Sequence, residues 1–328
     1  MPAPKPRKGN RGQVHRDQVA RKQAVQRAGR DAARDARAQP PARTPTRAAG
    51  GSAPRREASP PAERRGGAGA APVKRGLGGE QVEGRRAVRE LLVARRRRTR
   101  DVWIAEGVDD SPLIAEIMGL AEDARVPVRR VPRARLDAEA LTDAPQGVLA
   151  HAEPLAEVDL EALVRRRSGP SRPFLLALDG ITDPHNLGAL LRTAECAGAT
   201  GVVLPRHRSA HVTPTVAKAA AGAVEYLPMA VVPGLPAALT ALKAHGVWTV
   251  GLDADAQATL FDLEVATEPV ALVLGAEGSG LSRLVRQRCD LVVSIPQLGS
   301  IDSLNVSAAG ALACYEVARR RSAEAAAV

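Results

Sequence analysis

The sequence has few aromatic residues, three cysteines and no long apolar run. Phenylalanine, tyrosine and tryptophan occur twice each and together make up 2% of the 328 residues, so a hydrophobic core must be built from alanine, valine and leucine. No stretch approaches the ~18 consecutive apolar residues of a membrane-spanning helix. The first thirty residues carry arginine and lysine with no apolar run behind them, a pattern that excludes a secretory signal peptide.

The cysteines and histidines give no sign of a disulfide framework or a metal site. Cys196, Cys289 and Cys314 are far apart, and an odd number of cysteines cannot form a complete set of disulfides. No histidine stands at metal-ligand spacing from a cysteine or a carboxylate. The sequence therefore predicts a cytoplasmic protein in a reducing compartment, with no metal and no contact with a membrane.

The positive charge of the chain is concentrated at one end. The formal net charge is +11, with 47 lysines and arginines against 36 acidic residues. Residues 1–79 hold 19 basic and 5 acidic residues, so the remaining chain carries a net charge of −3. This segment has no aromatic residue and is rich in proline, glycine, alanine and arginine, which predicts a disordered basic extension. Both a phosphate-binding arm and a solvated extension without a specific role fit this composition.

The rest of the chain divides into a small α/β domain at 80–153, a linker at 154–172 and a larger domain at 173–328. In the small domain, apolar residues recur at helical spacing from Val82 to Leu92. Ser111 followed by Pro112 is a typical helix start. The pattern predicts strands at Val102–Ala105, Val126–Val131 and Gly147–Ala150, and further helices at Ser111–Ala124 and Leu136–Leu141.

The larger domain alternates short apolar runs with helical patterns. These runs do not alternate with polar residues, as is typical of strands covered on both faces, so we predict an α/β fold with a mostly parallel sheet. The predicted strands are Phe174–Asp179, Gly201–Leu204, Ala223–Pro228, Val247–Leu252, Val270–Leu274 and Leu291–Ile295. The predicted helices are Leu187–Ala197, Thr213–Ala221, Leu235–Ala244, Leu281–Arg288 and Leu304–Arg321.

Binding sites in parallel sheets lie beyond the carboxyl ends of the strands, so the loops after Asp179, Leu274 and Ile295 are the candidates. In the first loop, Asn186 stands where a helix N-cap belongs. Arg192 interrupts an otherwise apolar stripe of the following helix. A capped helix with a surface arginine explains this pattern, but the position after a buried strand favours a functional site.

The second loop is rich in glycine, at Gly275, Gly278 and Gly280, with Glu277 among them. The order of the glycines is not that of a dinucleotide-binding loop, and there is no phosphate-binding lysine. A carboxylate in this setting suits a cationic ligand or a hydroxyl group to be positioned. The third loop offers Ser303 and Asn305, which fit either a helix N-cap or recognition of an adenine or ribose.

Together the three loops resemble one protein family. The runs NLGALLR, LVLGAEGSGLS and SIPQLGSIDSLNVSAAGA are similar, in order and spacing, to the three motifs of the SpoU/TrmH RNA ribose 2'-O-methyltransferases. The runs EGRRAVRELL and PQGVLA resemble the start and end of the small RNA-binding domain of the ribosomal-RNA members. The run DGITDPHNLGALLRTAECAG resembles the subgroup that methylates a guanosine ribose in 23S ribosomal RNA.

The resemblance implies a C-terminal trefoil knot, S-adenosylmethionine as cofactor, and a homodimer with its sites near the interface. In the small domain, Arg86 and Pro145 stand where the family often has histidine. The residues that match the cofactor-binding positions are Leu274, Gly275, Ile295, Leu298 and Leu304. Those that match the catalytic and substrate-positioning set are Asn186, Arg192, Glu277, Ser303 and Asn305.

The implied reaction is methyl transfer to a ribose 2'-hydroxyl of ribosomal RNA. Arg192 matches the residue proposed as the base in this family, but a guanidinium with a pKa above ~12 is better suited to stabilise an alkoxide or hold a phosphate. Asn186 and Glu277 are expected to orient Arg192 and the ribose. The alternatives are a transfer-RNA or adenosine target, and a non-catalytic RNA-binding ribosome-assembly factor. The sequence does not favour a dinucleotide-dependent oxidoreductase, because it lacks both the glycine order and the acidic ribose ligand of that class.

Overall fold

The computed structural model describes residues 77–165, 172–207, 211–301 and 303–327. Most of the predicted basic extension, residues 1–76, lies outside these ranges, and so does part of the predicted linker. The described chain contains two β-sheets, each packed against helices. No helix within the described residues is long and apolar enough to cross a bilayer.

The first sheet has four strands in the order β1-β4-β2-β3, with β4 antiparallel to both neighbours and β2 parallel to β3. Apolar side chains from the first two helices and from the sheet form one core. The elements are β1 (Gln81–Glu83), α1 (Arg85–Ala94), β2 (Thr99–Ala105), α2 (Pro112–Asp123), β3 (Val128–Val131), α3 (Arg133–Glu139) and β4 (Val148–Ala152).

The helical spacing gives a wrong assignment at one position of this domain. Val82 lies in strand β1, where it pairs with Ala150, and not in the helix. The helix starts only after Gly84, whose φ of 93° turns the chain from the strand into α1. This backbone conformation favours glycine, because a side chain would clash with the backbone there.

The second sheet has seven strands in the order β7-β6-β5-β10-β8-β11-β9, and every neighbouring pair is parallel. This confirms the predicted α/β fold with a mostly parallel sheet. The strands are β5 (Phe174–Asp179), β6 (Gly201–Pro205), β7 (Met229–Val232), β8 (Trp248–Leu252), β9 (Ala258–Thr259), β10 (Val270–Gly275) and β11 (Leu291–Ser294). The helices are α4 (Leu160–Arg165), α5 (Pro184–Cys196), α6 (Pro214–Ala219), α7 (Leu235–Ala244), α8 (Arg283–Arg288) and α9 (Val306–Ala326).

The predicted strand Ala223–Pro228 is wrong. Residues Ala223–Glu225 form a 3₁₀ helix, and strand β7 begins only at Met229. The apolar residues of this run are buried, as the prediction assumed, and Glu225 is buried with them, at 3% exposure. The run packs against the small domain, and a burial pattern alone does not distinguish this contact from a strand.

The carboxyl ends of four strands meet at one edge of the sheet. Strands β5, β10, β8 and β11 are consecutive neighbours and all parallel, and Gly275 at the end of β10 pairs with Asp179 at the end of β5. The loops after β5, β10 and β11 therefore lie side by side, as the sequence predicts. The edge also includes the end of β8 at Leu252, between β10 and β11.

A buried ion pair joins the two sheet domains. The Nη2 of Arg97 lies 2.6 Å from Oε1 of Glu225, and the two side chains are 6% and 1% exposed. We expect Arg97→Ala to lower the free energy of unfolding by about 3–5 kcal/mol, because it leaves the Glu225 carboxylate buried without its partner. Urea denaturation measures the loss.

The exposed pair Arg172–Glu324, in which both side chains are nearly half exposed, is the matched control. Arg172→Ala is expected to change the free energy of unfolding by less than about 1 kcal/mol. Equal losses in Arg97→Ala and Arg172→Ala would show that the buried pair does not stabilise the contact between the domains.

Candidate active site

The first candidate loop places Asn186 in the first turn of helix α5. The N-cap of this helix is Asp183, whose carboxylate accepts a hydrogen bond from the backbone N–H of Asn186 at 2.8 Å. The expectation that Asn186 itself caps the helix is therefore wrong. Because Asp183 satisfies the helix end, the side-chain amide of Asn186 is available for other partners.

Three side chains from the three loops form one hydrogen-bonded cluster. The Nδ2 of Asn186 donates to Oε2 of Glu277 at 2.9 Å. The Nδ2 of Asn305 donates to Oδ1 of Asn186 at 3.0 Å and lies 3.4 Å from Oε1 of Glu277. The structure thus brings together one predicted residue from each loop, over sequence separations of 28 to 119 residues. The cluster fixes the direction of both amides and leaves Glu277 exposed to solvent.

Asn305 also caps helix α9. Its Oδ1 accepts a hydrogen bond from the backbone N–H of Ser307 at 2.9 Å. The two readings of this residue from the sequence, helix cap and site residue, are therefore compatible, because the oxygen serves the helix and the nitrogen serves the cluster. Ser303, two residues earlier, is exposed.

The second loop owes its shape to a close backbone contact. The backbone groups of Ala276 and Gly280 exchange two hydrogen bonds, of 3.0 and 2.9 Å, which close a tight turn that carries Glu277. A Cβ atom on Gly275 would lie 2.1 Å from the carbonyl carbon of Gly280. Position 275 therefore requires glycine, because a side chain there would collide with the backbone of the turn.

A cleft of about 420 Å³ opens beside this turn. Its walls come from the turn, from the ends of β8 and β11 and from the third loop. Of the predicted site residues, the following line it: Leu274, Gly275, Glu277, Ile295, Ser303 and Leu304. Leu298 does not line this cleft, and its side chain is 99% exposed. The walls combine apolar side chains, backbone groups of the turn and carboxylates, which suits a ligand with apolar, hydrogen-bonding and cationic parts.

The sequence reasoning missed two charged residues of this cleft, Asp253 and Asp255. Asp253 follows strand β8 and lines the cleft, and its Oδ2 lies 2.6 Å from Nε of Arg286. The strand before Asp253 was predicted, but β8 lies between β10 and β11 only in the folded sheet. Only the order of the strands in the folded sheet indicates that Asp253 belongs to the site, and their order along the chain does not show it.

Arg192 does not join the Asn186 cluster. The two residues are six positions apart on α5, which places their side chains about 120° apart around the helix axis. No hydrogen bond or ion pair joins Arg192 to Asn186 or Glu277 among the described residues, and Arg192 is exposed. It lines a second cleft, of about 630 Å³, next to the small domain. Within the described residues, neither Asn186 nor Glu277 contacts Arg192 to orient it, contrary to the expectation.

Glu277→Ala tests the role of the hydrogen-bonded cluster. We expect the activity of the site to fall roughly 100-fold, because both amides lose the carboxylate that orients them. The free energy of unfolding should change by less than about 0.5 kcal/mol, since Glu277 is exposed. Glu122→Ala, at an exposed position of helix α2, is the control for loss of a negative charge. Equal activities of the two variants would show that Glu277 has no role in the activity of the site.

Comparisons with known proteins show what the chain is similar to. A model of the SpoU rRNA methylase family matches residues 173–315, and a model of the RNA 2'-O ribose methyltransferase substrate-binding domain matches residues 81–158. The chain is 40% identical, over 74% of its length and 97% of the relative's, to the 23S rRNA (guanosine-2'-O-)-methyltransferase RlmB of Pseudomonas putida. It is 38% identical, over 74% and 96%, to a protein of Bacillus subtilis named as a TrmH family tRNA/rRNA methyltransferase.

Solved structures show the same architecture. The crystal structure of an RNA 2'-O ribose methyltransferase superposes with a TM-score of 0.60 at 28% identity, covering 74% of this chain and 88% of that one. The SpoU methyltransferase AviRb from Streptomyces viridochromogenes, in complex with S-adenosylmethionine, superposes with a TM-score of 0.62 at 24% identity, covering 74% and 90%. At 24% identity, the likeness to AviRb shows only that the two proteins share a fold.

Proposed function

The chain belongs to the SpoU rRNA methylase family, and from this premise we propose that it transfers a methyl group from S-adenosylmethionine to a ribose 2'-hydroxyl of ribosomal RNA. The observation that carries the proposal is the hydrogen-bonded cluster of Asn186, Glu277 and Asn305, of which Glu277 lines the cleft. These three side chains come from three separate motifs, and a non-catalytic scaffold has no need to bring them together.

The proposed target is a guanosine of 23S ribosomal RNA. Relatives named for this reaction are 40–42% identical to the chain and are covered almost completely, at 97% of their length. A transfer-RNA target is the alternative, because relatives at 38–39% identity carry names that include both RNAs.

The proposed cofactor fits the cleft beside Gly275. S-adenosylmethionine, when bound, supplies an electrophilic methyl group on a positively charged sulfur. The backbone groups of the turn between Ala276 and Gly280 can hydrogen-bond to it, and the apolar side chains of Ile295 and Leu304 can cover it. The carboxylates of Asp255 and Glu277 line the cleft and form no ion pair among the described residues, so they give the cleft negative charge, which favours a cationic ligand over a neutral one.

The proposed chemistry rests on alignment and on charge. Asn186 and Asn305 hold the carboxylate of Glu277 in the wall of the cleft, where it can accept a hydrogen bond from a ribose hydroxyl. A guanidinium is a poor proton acceptor, so we assign Arg192 to the substrate phosphate and to the developing negative charge on the 2'-oxygen, and not to proton removal. Ser303 shapes the third loop against the cofactor.

Further parts of the proposal concern assembly. We propose a homodimer, supported by exposed apolar side chains of the third loop and of α9, among them Leu298, Ile301 and Tyr315, which are 99%, 74% and 54% exposed. We also propose the trefoil knot of the C-terminal segment and a cytoplasmic location, both by family membership. The domain limits 80–153, 154–172 and 173–328 remain predictions.

Deletion of residues 1–76 tests the basic extension without touching Leu77, which is buried in the core of the larger domain and hydrogen-bonded to Leu155. This segment carries a net charge of +14. We expect weaker binding of ribosomal RNA and a smaller slope of log K against log salt concentration, because fewer counterions are released. The affinity for S-adenosylmethionine should not change. Filter binding at several salt concentrations measures the slope. An unchanged slope would show that the extension does not bind RNA.

The proposed function is tested by transfer of tritiated methyl groups from S-adenosylmethionine to RNA by the purified chain. We expect incorporation into unmodified 23S ribosomal RNA and little incorporation into unmodified transfer RNA. Preferential labelling of transfer RNA would establish the alternative target. Binding of both RNAs without labelling of either would identify a non-catalytic RNA-binding factor.

A further inference from the structure

A second cleft, of about 630 Å³, lies where the small domain meets the larger one. Helix α1 and the start of α2 form one wall, and helix α5 with the segment after α6 forms the other. It is distinct from the cofactor cleft, with which it shares no lining residue. The lining side chains that carry charge or a polar group are Arg86, Arg89, Glu90, Arg192, Glu195, Cys196 and Tyr226.

Two of the three arginines in this cleft have no partner among the described residues. Arg89 is held by Glu90 and by Glu116, and these carboxylates raise its pKa above the ordinary value. Arg86 and Arg192 are exposed, and neither makes a side-chain hydrogen bond or an ion pair within the part of the chain that the structure describes. One comes from each domain, and both line the same cleft.

The negative charge of the cleft does not cancel these two arginines. Glu90 is already engaged by Arg89 and by the hydroxyl of Tyr226, which donates to its Oε2 at 2.6 Å. Glu195 is the other carboxylate of the lining and lies beside Cys196. Two free guanidinium groups therefore face one free carboxylate among the described residues of the lining. This excess of positive charge suits an anionic ligand.

The walls of the cleft are held in place by direct contacts between the domains. A Cβ atom on Gly222 would lie 2.4 Å from Cβ of Glu90, so helix α1 packs directly against the chain at this point. The Nη1 of Arg96 donates to the carbonyl oxygen of Tyr226 at 2.7 Å, and its guanidinium lies 5.8 Å from the ring centre. The cleft is thus formed before a ligand binds, which lowers the entropic cost of binding.

We propose that Arg86 and Arg192 together bind one phosphodiester group of the RNA substrate across this cleft. The inference rests on the proposed function and deepens it, because it adds Arg86 as a positioning residue outside the methyl-transfer site. Arginine matches the paired oxygens of a phosphate. A contact of this kind positions the RNA backbone and carries no sequence information.

The test is filter binding of an unmodified 23S ribosomal RNA transcript to the full chain and its variants. Arg86→Ala is expected to weaken binding about 5- to 10-fold and to lower the slope of log K against log salt concentration by less than the roughly 0.7–0.9 of one full phosphate contact, because Arg192 still holds the shared phosphate. The KM for RNA should rise by the same factor, with kcat within about 2-fold and the affinity for S-adenosylmethionine unchanged. Alanine favours helix at this exposed position of α1, so the variant should fold.

Arg100→Ala is the matched control, since Arg100 is an exposed arginine of the same domain that does not line the cleft. It is expected to change RNA affinity by less than about 2-fold. Equal effects of Arg86→Ala and Arg100→Ala would overturn the proposal, because both would then report only the loss of a surface charge.

The double variant Arg86→Ala with Arg192→Ala tests whether the two residues share one phosphate. Shared binding predicts that the double variant loses less RNA affinity than the product of the two single losses, whereas additive losses would overturn the shared site. The outcome is separable from that of the proposed function. RNA binding that depends on Arg86 without any methyl transfer would contradict only the enzymatic activity, and methyl transfer without such dependence would contradict only the cleft.

Discussion

Arg192→Ala is expected to lower the rate of methyl transfer roughly 100- to 1,000-fold while leaving the affinity for S-adenosylmethionine within about 2-fold. The arginine lines the cleft next to the small domain and not the cofactor cleft. Its loss therefore removes a positive charge that acts on the RNA substrate and leaves the cofactor site intact. Single-turnover transfer of tritiated methyl groups measures the rate, and calorimetry measures cofactor binding.

Arg192→Lys separates charge from shape. A lysine keeps the positive charge but cannot hold two phosphate oxygens in one plane, so we expect it to recover only a small part of the lost rate. Arg100→Ala, outside both clefts, should keep the wild-type rate. Loss of cofactor affinity in Arg192→Ala with a normal single-turnover rate would contradict the role assigned to Arg192.

Gly275→Ala is expected to weaken the binding of S-adenosylmethionine roughly 10- to 100-fold. A Cβ atom at this position would lie 2.1 to 2.3 Å from backbone atoms of Gly280 and Leu281, so the turn that carries Glu277 must move. A steric conflict of this kind costs about 1–3 kcal/mol, and here the cost falls on the wall of the cofactor cleft. Calorimetric titration with S-adenosylmethionine measures the change.

Gly119→Ala is the control for Gly275→Ala, because no atom lies within 4 Å of a Cβ atom built on Gly119 in helix α2. That variant should bind the cofactor as the wild type does and should be slightly more stable, since alanine favours helix. If Gly275→Ala also binds S-adenosylmethionine normally, the cleft beside Gly275 is not the cofactor site.

Much of the larger domain could be predicted from local pattern. Strands such as β5 and β10 are apolar throughout because helices cover both faces of the sheet, and such runs are visible in the sequence. The convergence of the loops after Asp179, Leu274 and Ile295 follows from parallel strands alone. Where the pattern failed, at Ala223–Pro228, the buried residues pack against another domain, and the local sequence does not show which surface covers a residue.

The composition of the candidate site was harder to predict in detail. Asn186, Glu277 and Asn305 were each recognised from their own loop, and the structure joins them by hydrogen bonds. Asp253 was missed because its place in the site depends on strand order. The separation of Arg192 from Asn186 follows from helix geometry over six residues, which places the two side chains on different sides of α5.

The most direct test of the central claim is mass spectrometry of the nucleosides released from unmodified 23S ribosomal RNA after incubation with the chain and S-adenosylmethionine. We predict 2'-O-methylguanosine as the new nucleoside, formed by the wild type and nearly absent with Arg192→Ala. A methyl group on a base, or no methylated nucleoside at all, would contradict ribose methylation as the function of this chain.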